Sequence, residues 1–282
     1  DGEIWPVHPR KEKLGEHICF KNLESLPSPP DATFVGVNRF KTIELVQELD
    51  KMGAGGAVCF ASGFSETDPQ TDTANGRLLQ RELVSATPNL AILGPNCYGF
   101  LNYLDNITVW PDQHGGQRVN QGVALIAQSS NIAINLTMQK RSLPIAYVIT
   151  VGNQAKSGIS DLIEILLEDT RVTAIGLYIE GFDSIKNFER VATKAAFLKK
   201  PIAVLKAGKT PYSQAATLSH TASITGSNTA VSSFLKRVGC IEVSSLSHLL
   251  ETLKIFHFLG YLNEANIGSV SCSGGEASLI AD

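Results

Sequence analysis

Apolar runs of strand length, separated by stretches with helical spacing, recur along nearly the whole chain. No other feature restricts its folding so strongly. The runs ATFVGV (32–37), GGAVCFAS (55–62), LAILG (90–94), GVALIAQ (122–128), IAYVIT (145–150), AIGLYIE (174–180) and PIAVLKAG (201–208) are continuous rather than alternating. A strand that is apolar at every position is buried on both faces, the condition of a parallel sheet covered by helices. Helical patterns fall between them: FKTIELVQELDKMG closing at Gly53, the stretch after Asp72, and residues 131–141, 158–169 and 184–199. EIWPV (3–7) reads as a further short strand. The pattern predicts two α/β units with a boundary near residues 112–121. A third strand–turn–helix start, GSVSCSGGEASLIAD, has no later strands to pair with, and the first residues already read as internal to a domain. The chain is therefore expected to be cut at both ends.

Composition narrows the function classes. The 282 residues are 43% hydrophobic and 18% charged, which supports a sizeable core and argues against disorder. A net charge of −3 without a long basic run argues against a nucleic-acid partner. The five cysteines are scattered, with no CxxC or Cys/His cluster, so neither a disulfide framework nor a metal site is expected. Free thiols suit a reducing compartment, so a cytoplasmic location is expected. No apolar run approaches the roughly 18 residues of a membrane helix.

In open α/β sheets, ligands gather at the carboxyl ends of strands. After GVALIA come Gln128, Ser129, Ser130 and Asn131, opening a helix. Such a start offers free N–H groups to an anion, or is simply capped by serine. After AIGLYIE comes Glu180-Gly181, an acid that either orients an imidazole or sits on a surface loop. After PIAVLKAGKT, with Lys206 and Lys209, comes SQAATLSHTASITGS, whose sole ionisable side chain is His220. A histidine there is a filled core position, a base for a nearby serine, or a nucleophile among phosphate-binding groups. Three strand ends carrying an anion-type helix start, an acid and a histidine match the layout of a phosphorylatable histidine. In the first unit, ILGPNCYGF (92–100) is a tight turn, and Cys97 reads as a small packed thiol. There is no GxGxxG phosphate fingerprint and no GxSxG elbow of an α/β hydrolase.

In order along the chain, VHPRKEKLGEH, ASGFSE, GPNCYGFLN, AQSSNIA, VGNQAKSGISDLIEIL, YIEG and SHTASITGS resemble the NDP-forming acyl-CoA synthetases, relatives of the succinyl-CoA synthetase alpha subunit. The resemblance implies a Rossmann-like CoA-binding domain lacking its first strand and glycine loop (1–115). A flavodoxin-like CoA-ligase domain with a phosphohistidine (116–262) and the start of a second such domain (263–282) would follow. It implies interconversion of acyl-CoA, NDP and phosphate with carboxylic acid, CoA and NTP, with ADP the favoured diphosphate. ATP and Mg²⁺ would be used through an ATP-grasp domain or subunit, in an oligomer. The alternative within the superfamily is a CoA-binding-type regulatory region of a protein acetyltransferase without ligase activity.

Carried onto this sequence, His220 would be phosphorylated and Glu180 would support its ring. Ser129, Ser130, Asn131, Ser219 and Thr221 would bind the phosphate. Pro9, Lys11, Val37, Asn38, Ser62 and Gly63 would line the CoA groove, with Asn96 and Cys97 between CoA and the histidine. Two departures from the family pattern stand beside these sites: Ala222 replaces the glycine of SHTG, and Ser130 that of SQSG. A Cβ at either place is expected to narrow the phosphate pocket.

Overall fold

The computed structural model describes residues 2–68, 70–210, 213, 228–261, 266 and 268–281. In the first unit, a two-stranded ribbon, β1 (Lys13–Leu14) and β2 (His17–Ile18), precedes a parallel sheet. That sheet has the order β3 (Thr33–Val35), β4 (Gly56–Cys59), β5 (Ala91–Leu93). Helix α1 (Arg39–Met52) starts at Asn38, whose side chain accepts from Phe40 N–H and Lys41 N–H, and stops at Gly53 in the left-handed region (φ 78°). It buries Thr42, Val46 and Leu49, one face at helical spacing. With α2 (Gly76–Ser85) it covers one side of the sheet around Phe64, Leu83 and Ile92.

The second unit is a seven-stranded sheet. Its parallel part is built from β8 (Gly122–Ala127), β9 (Ile145–Thr150), β10 (Val172–Ile179), β11 (Ile202–Lys206) and β12 (Ile241–Val243). Their spatial order, β12-β11-β10-β8-β9, is the flavodoxin-like arrangement. Helices α3 (Ser130–Thr137) and α7 (Leu246–Leu259) pack on one face. On the other face lie α4 (Ile159–Glu168), α5 (Ile185–Phe197) and α6 (Asn228–Arg237). Gly176 sits where α7 crosses the sheet: a Cβ there would come within 2.5 Å of Leu253. The hairpin β6 (Phe100–Asn102) and β7 (Ile107–Val109), which leaves the first unit, pairs antiparallel with β9 and extends the second sheet. No helix among the described residues is long and apolar enough to cross a membrane.

The seven long apolar runs all form strands, each within a few residues of the expected bounds. The strand expected at 3–7 contributes only an isolated parallel bridge, Val7 to Phe20. Pro6 lacks the N–H that a ladder needs. Residues 268–272 form no strand, while α8 (Gly274–Ala281) follows as expected. The β6–β7 hairpin and β12 are too short, at three residues each, to stand out as apolar runs.

Phe188, fully buried on α5, meets Phe182 and Phe234 edge-on or tilted, at 4.8 and 6.0 Å. Phe188→Ala is expected to destabilise the protein by about 3–5 kcal/mol, read as a lower urea midpoint at unchanged slope. A loss under about 1 kcal/mol would mean that this cluster does not support α5 against the sheet.

Candidate functional site

In a sheet of this order the chain reverses its winding between β8 and β10, and a crevice opens at their carboxyl ends. Gln128 follows β8 and is 5% exposed. Its side-chain oxygen accepts from Glu180 N–H and, at 2.8 Å, from Gly181 N–H. This one amide ties the two sides of the crevice. Ser129 caps α3, accepting from Ile132 N–H at 3.5 Å. Among the described residues, the Ser130 and Asn131 amides have no partner, so the start of α3 offers two N–H groups and its dipole to an anion.

Glu180 ends β10 half-buried rather than on an exposed loop. Beside it Lys206, at the end of β11, is 5% exposed and donates to Glu180 O (2.7 Å) and Ala207 O. Burial pushes the Lys206 ammonium below its ordinary pKa, and the Glu180 carboxylate opposes that shift. Lys209 pairs with Glu242 at 2.6 Å. Glu180 and Lys206 thus stand at adjacent strand ends, and in sequence Lys206 precedes the segment that carries Ser219, His220 and Thr221. Those three residues and Ala222 lie outside the described residues.

The turn after β5 enters the same crevice. Asn96 adopts φ 60°, and its N–H donates to Ala61 O at 3.0 Å, joining it to the Ser62-Gly63 segment. Tyr98 N–H is shared between Ser130 Oγ (3.2 Å) and Thr150 Oγ1 (3.0 Å), and Gly99 N–H reaches Thr150 Oγ1 at 2.9 Å. Gly152 packs so closely that a Cβ would lie 2.2 Å from Pro95 O. The Cys97 side chain points away from this surface: it is 1% exposed, its thiol faces Cys59 O at 3.9 Å, and burial raises its pKa. Cys59 is likewise pushed up to about 12 by burial. Neither thiol is poised as a nucleophile.

The remaining residues expected in the CoA groove lie in the first unit. Pro9 and Lys11 are exposed on a turn where His8 Nδ1 accepts from Arg10 N–H and Lys11 N–H. Val37, Asn38 and Ser62 are exposed at the carboxyl ends of β3 and β4, beside Phe34 and Phe60. Gly63 (φ 98°) accepts from Arg39 at 2.6 Å and leaves no room for a Cβ against that side chain. Arg39 in turn pairs with Asp72 at 2.9 Å. Asp72 also accepts from Thr67 Oγ1, Ala74 N–H and Gly76 N–H, which fixes the 63–76 loop. An exposed cation, an apolar rim and a rigid glycine turn suit a long ligand with anionic and apolar parts, as CoA is. Gln128, Thr150 and the Arg39–Asp72 pair have no role in the sequence reading, although Gln128 and Thr150 are polar residues ending apolar runs.

Residues 120–256 match the succinyl-CoA ligase like flavodoxin domain, and residues 1–103 match a CoA binding domain. The chain is 29% identical over its whole length to an ADP-forming acetate–CoA ligase of Methanocaldococcus jannaschii, covering 39% of that protein. It is 28% identical, again over its whole length, to the alpha subunit of ADP-forming acetate–CoA ligase II of Pyrococcus furiosus, covering 60%. The structure of a dinucleotide forming acetyl-coenzyme A synthetase 1 from Ca. Korarchaeum cryptofilum, in complex with phosphate and ADP, aligns with a TM-score of 0.78 at 28% identity. That alignment takes in 95% of this chain and 56% of that one.

Two outcomes follow from the geometry. Gln128→Leu strands the buried Gly181 amide and the part-buried Glu180 amide and should cost about 2 kcal/mol, since each unpaired buried group costs about 1–3 kcal/mol; urea unfolding measures it. Arg39, foremost, holds the Asp72 carboxyl below its ordinary value of 3.8. A depressed folded pKa stabilises the protein above the unfolded pKa and is lost as pH falls. The stability gap between wild type and Asp72→Asn should be flat above about pH 5 and narrow below about pH 4. A gap that stays constant down to acid unfolding would exclude the pairing.

Proposed function

By its two domains and their order the chain belongs to the NDP-forming acyl-CoA synthetases, and we propose that it is the CoA-ligase part of an ADP-forming acyl-CoA synthetase. The full enzyme interconverts acyl-CoA, ADP and phosphate with a small carboxylic acid, CoA and ATP, by way of a phosphorylated His220. The chain spans about two-fifths of the ADP-forming acetate–CoA ligase from M. jannaschii. On this reading ATP and Mg²⁺ enter through an ATP-grasp domain or subunit, in an oligomer working in the cytoplasm.

The observation that carries this reading is the crevice between β8 and β10, where two α3 amides without a partner among the described residues lie near the adjacent strand ends that bear Glu180 and Lys206. In sequence, His220 lies in the segment that follows β11. Its neutral imidazole, with an ordinary pKa of about 6.5, is a nucleophile near pH 7. Glu180 holds the proton on the far ring nitrogen and so favours attack by the near one. The Ser130 and Asn131 amides hold the phosphoryl oxygens, and Ser219 and Thr221 add hydroxyl donors. CoA, when bound along Lys11, Val37, Asn38 and Ser62, supplies the thiol that takes the acyl group.

Full-length protein incubated with γ-labelled ATP and Mg²⁺ should take up label that survives base and is lost in acid. His220→Ala should abolish that label, and Glu180→Gln should slow its appearance about tenfold or more while the protein stays folded. Full labelling of a folded His220→Ala protein would refute the reading. Normal labelling of Glu180→Gln would remove the role given to Glu180.

A further inference from the structure

Strand β5 is the edge of the first unit's sheet, and residues 151–158 of the second unit run along it in the opposite direction. Asn153 N–H donates to Pro95 O (3.0 Å), Ala155 N–H to Gly94 O (2.9 Å) and Ser157 N–H to Ile92 O (3.2 Å). This strap also reaches the crevice. Gln154 donates to Gly181 O at 3.4 Å and accepts from Ile159 N–H, the first amide of α4, at 3.0 Å. Gln154 itself is a non-glycine at φ 53°, a conformation that persists only where surroundings hold it.

Three backbone bonds to a three-residue edge strand and the turn after it fix the register of the strap only in part. Two side chains remove that freedom. The Lys156 ammonium reaches across to Thr87 O and Leu90 O (2.7 Å), two carbonyls between α2 and β5. Its charge also lies near Asp50, whose carboxylate accepts from Leu90 N–H at 2.6 Å. Toward the other end, the Asn153 amide donates to Glu66 Oε2 and to Gln80 Oε1. Glu66 in turn takes the Gly63 and Phe64 N–H groups of the groove turn.

We propose that Lys156 and Asn153 are positioning residues that pin the strap in register along β5. Through Gly152 and Gln154 they fix the distance between the Asn96 turn and the Gly181 loop, and so between the CoA groove and the crevice at the ends of β8 and β10. This rests on the ligase reading above. Because each unit keeps its own ligand contacts, loosening the strap should spare both partial functions and slow only the transfer between them. Misplacement by about 1 Å can cost about a hundredfold in rate.

The test uses the full-length protein with Lys156→Met, Asn153→Ala and the conservative Lys156→Arg. In the first two, CoA affinity by calorimetry and the rate of histidine labelling from ATP alone should stay within about twofold of wild type, while kcat falls about tenfold or more at unchanged KM. Lys156→Arg should recover most of the loss. Hydrogen exchange at the Ala155 and Ser157 amides should speed up in Lys156→Met. Turnover close to wild type in both variants overturns the proposal, as does a parallel fall of CoA binding and labelling with turnover. If wild type itself takes no label, the ligase reading fails, and the exchange rates still decide whether Lys156 holds the register.

Discussion

The bond from Gln128 to the Glu180–Gly181 backbone is the constraint on which the crevice depends. At the crossover between β8 and β10 the following segments leave toward opposite faces of the sheet, α3 on one side and α5 on the other. Their strand-end amides cannot satisfy one another, and an unpaired buried amide is expensive. A long neutral side chain ending the inner strand can accept two N–H groups at once. A hydrophobic residue would close the gap without satisfying them, and a carboxylate would place a second negative charge beside Glu180. The amide therefore holds the crevice open and polar without adding charge to it.

The charged groups around that amide divide the work. Lys206 is the cation buried at the strand ends, and its bonds to Glu180 O and Ala207 O keep its desolvation tolerable. It fixes the backbone of the acid that faces it, so Glu180 is held by its main chain and by a neighbouring positive charge together. On the function proposed, a phosphoryl group arriving here would meet helix amides and a lysine whose charge Glu180 sustains.

Much of the fold was legible because each long apolar run is a two-sided buried strand, and that pattern has few alternative explanations. The short elements were illegible for the opposite reason. Hairpin β6–β7 is held by pairing to β9, and β12 by pairing to β11, rather than by their own composition. At the site, Ser129, Ser130, Asn131 and Glu180 could be read from their places after strands. Asn96 could be read as a turn residue. Cys97 was read as a small packed thiol and is buried, whereas the place between CoA and the histidine that the resemblance gave it does not fit a side chain turned toward Cys59 O. The parts of Lys156 and Asn153 could not be read, since their partners lie 66 to 87 positions away in the chain.

The serine at position 130, where the family pattern has glycine, makes a bond that glycine could not. Its Oγ accepts from Tyr98 N–H, in the turn that enters the crevice from the first unit. Tyr98 also lies between Phe60, tilted against it at 5.5 Å, and Trp110, edge-on at 5.4 Å, in an aromatic series that begins at Phe34. The hydroxyl therefore joins the helix that would hold the phosphate to the turn that leads from the CoA groove. What glycine would leave as open space, this chain uses as a further bond between its two units, and the amides of Ser130 and Asn131 still face the crevice without a partner among the described residues.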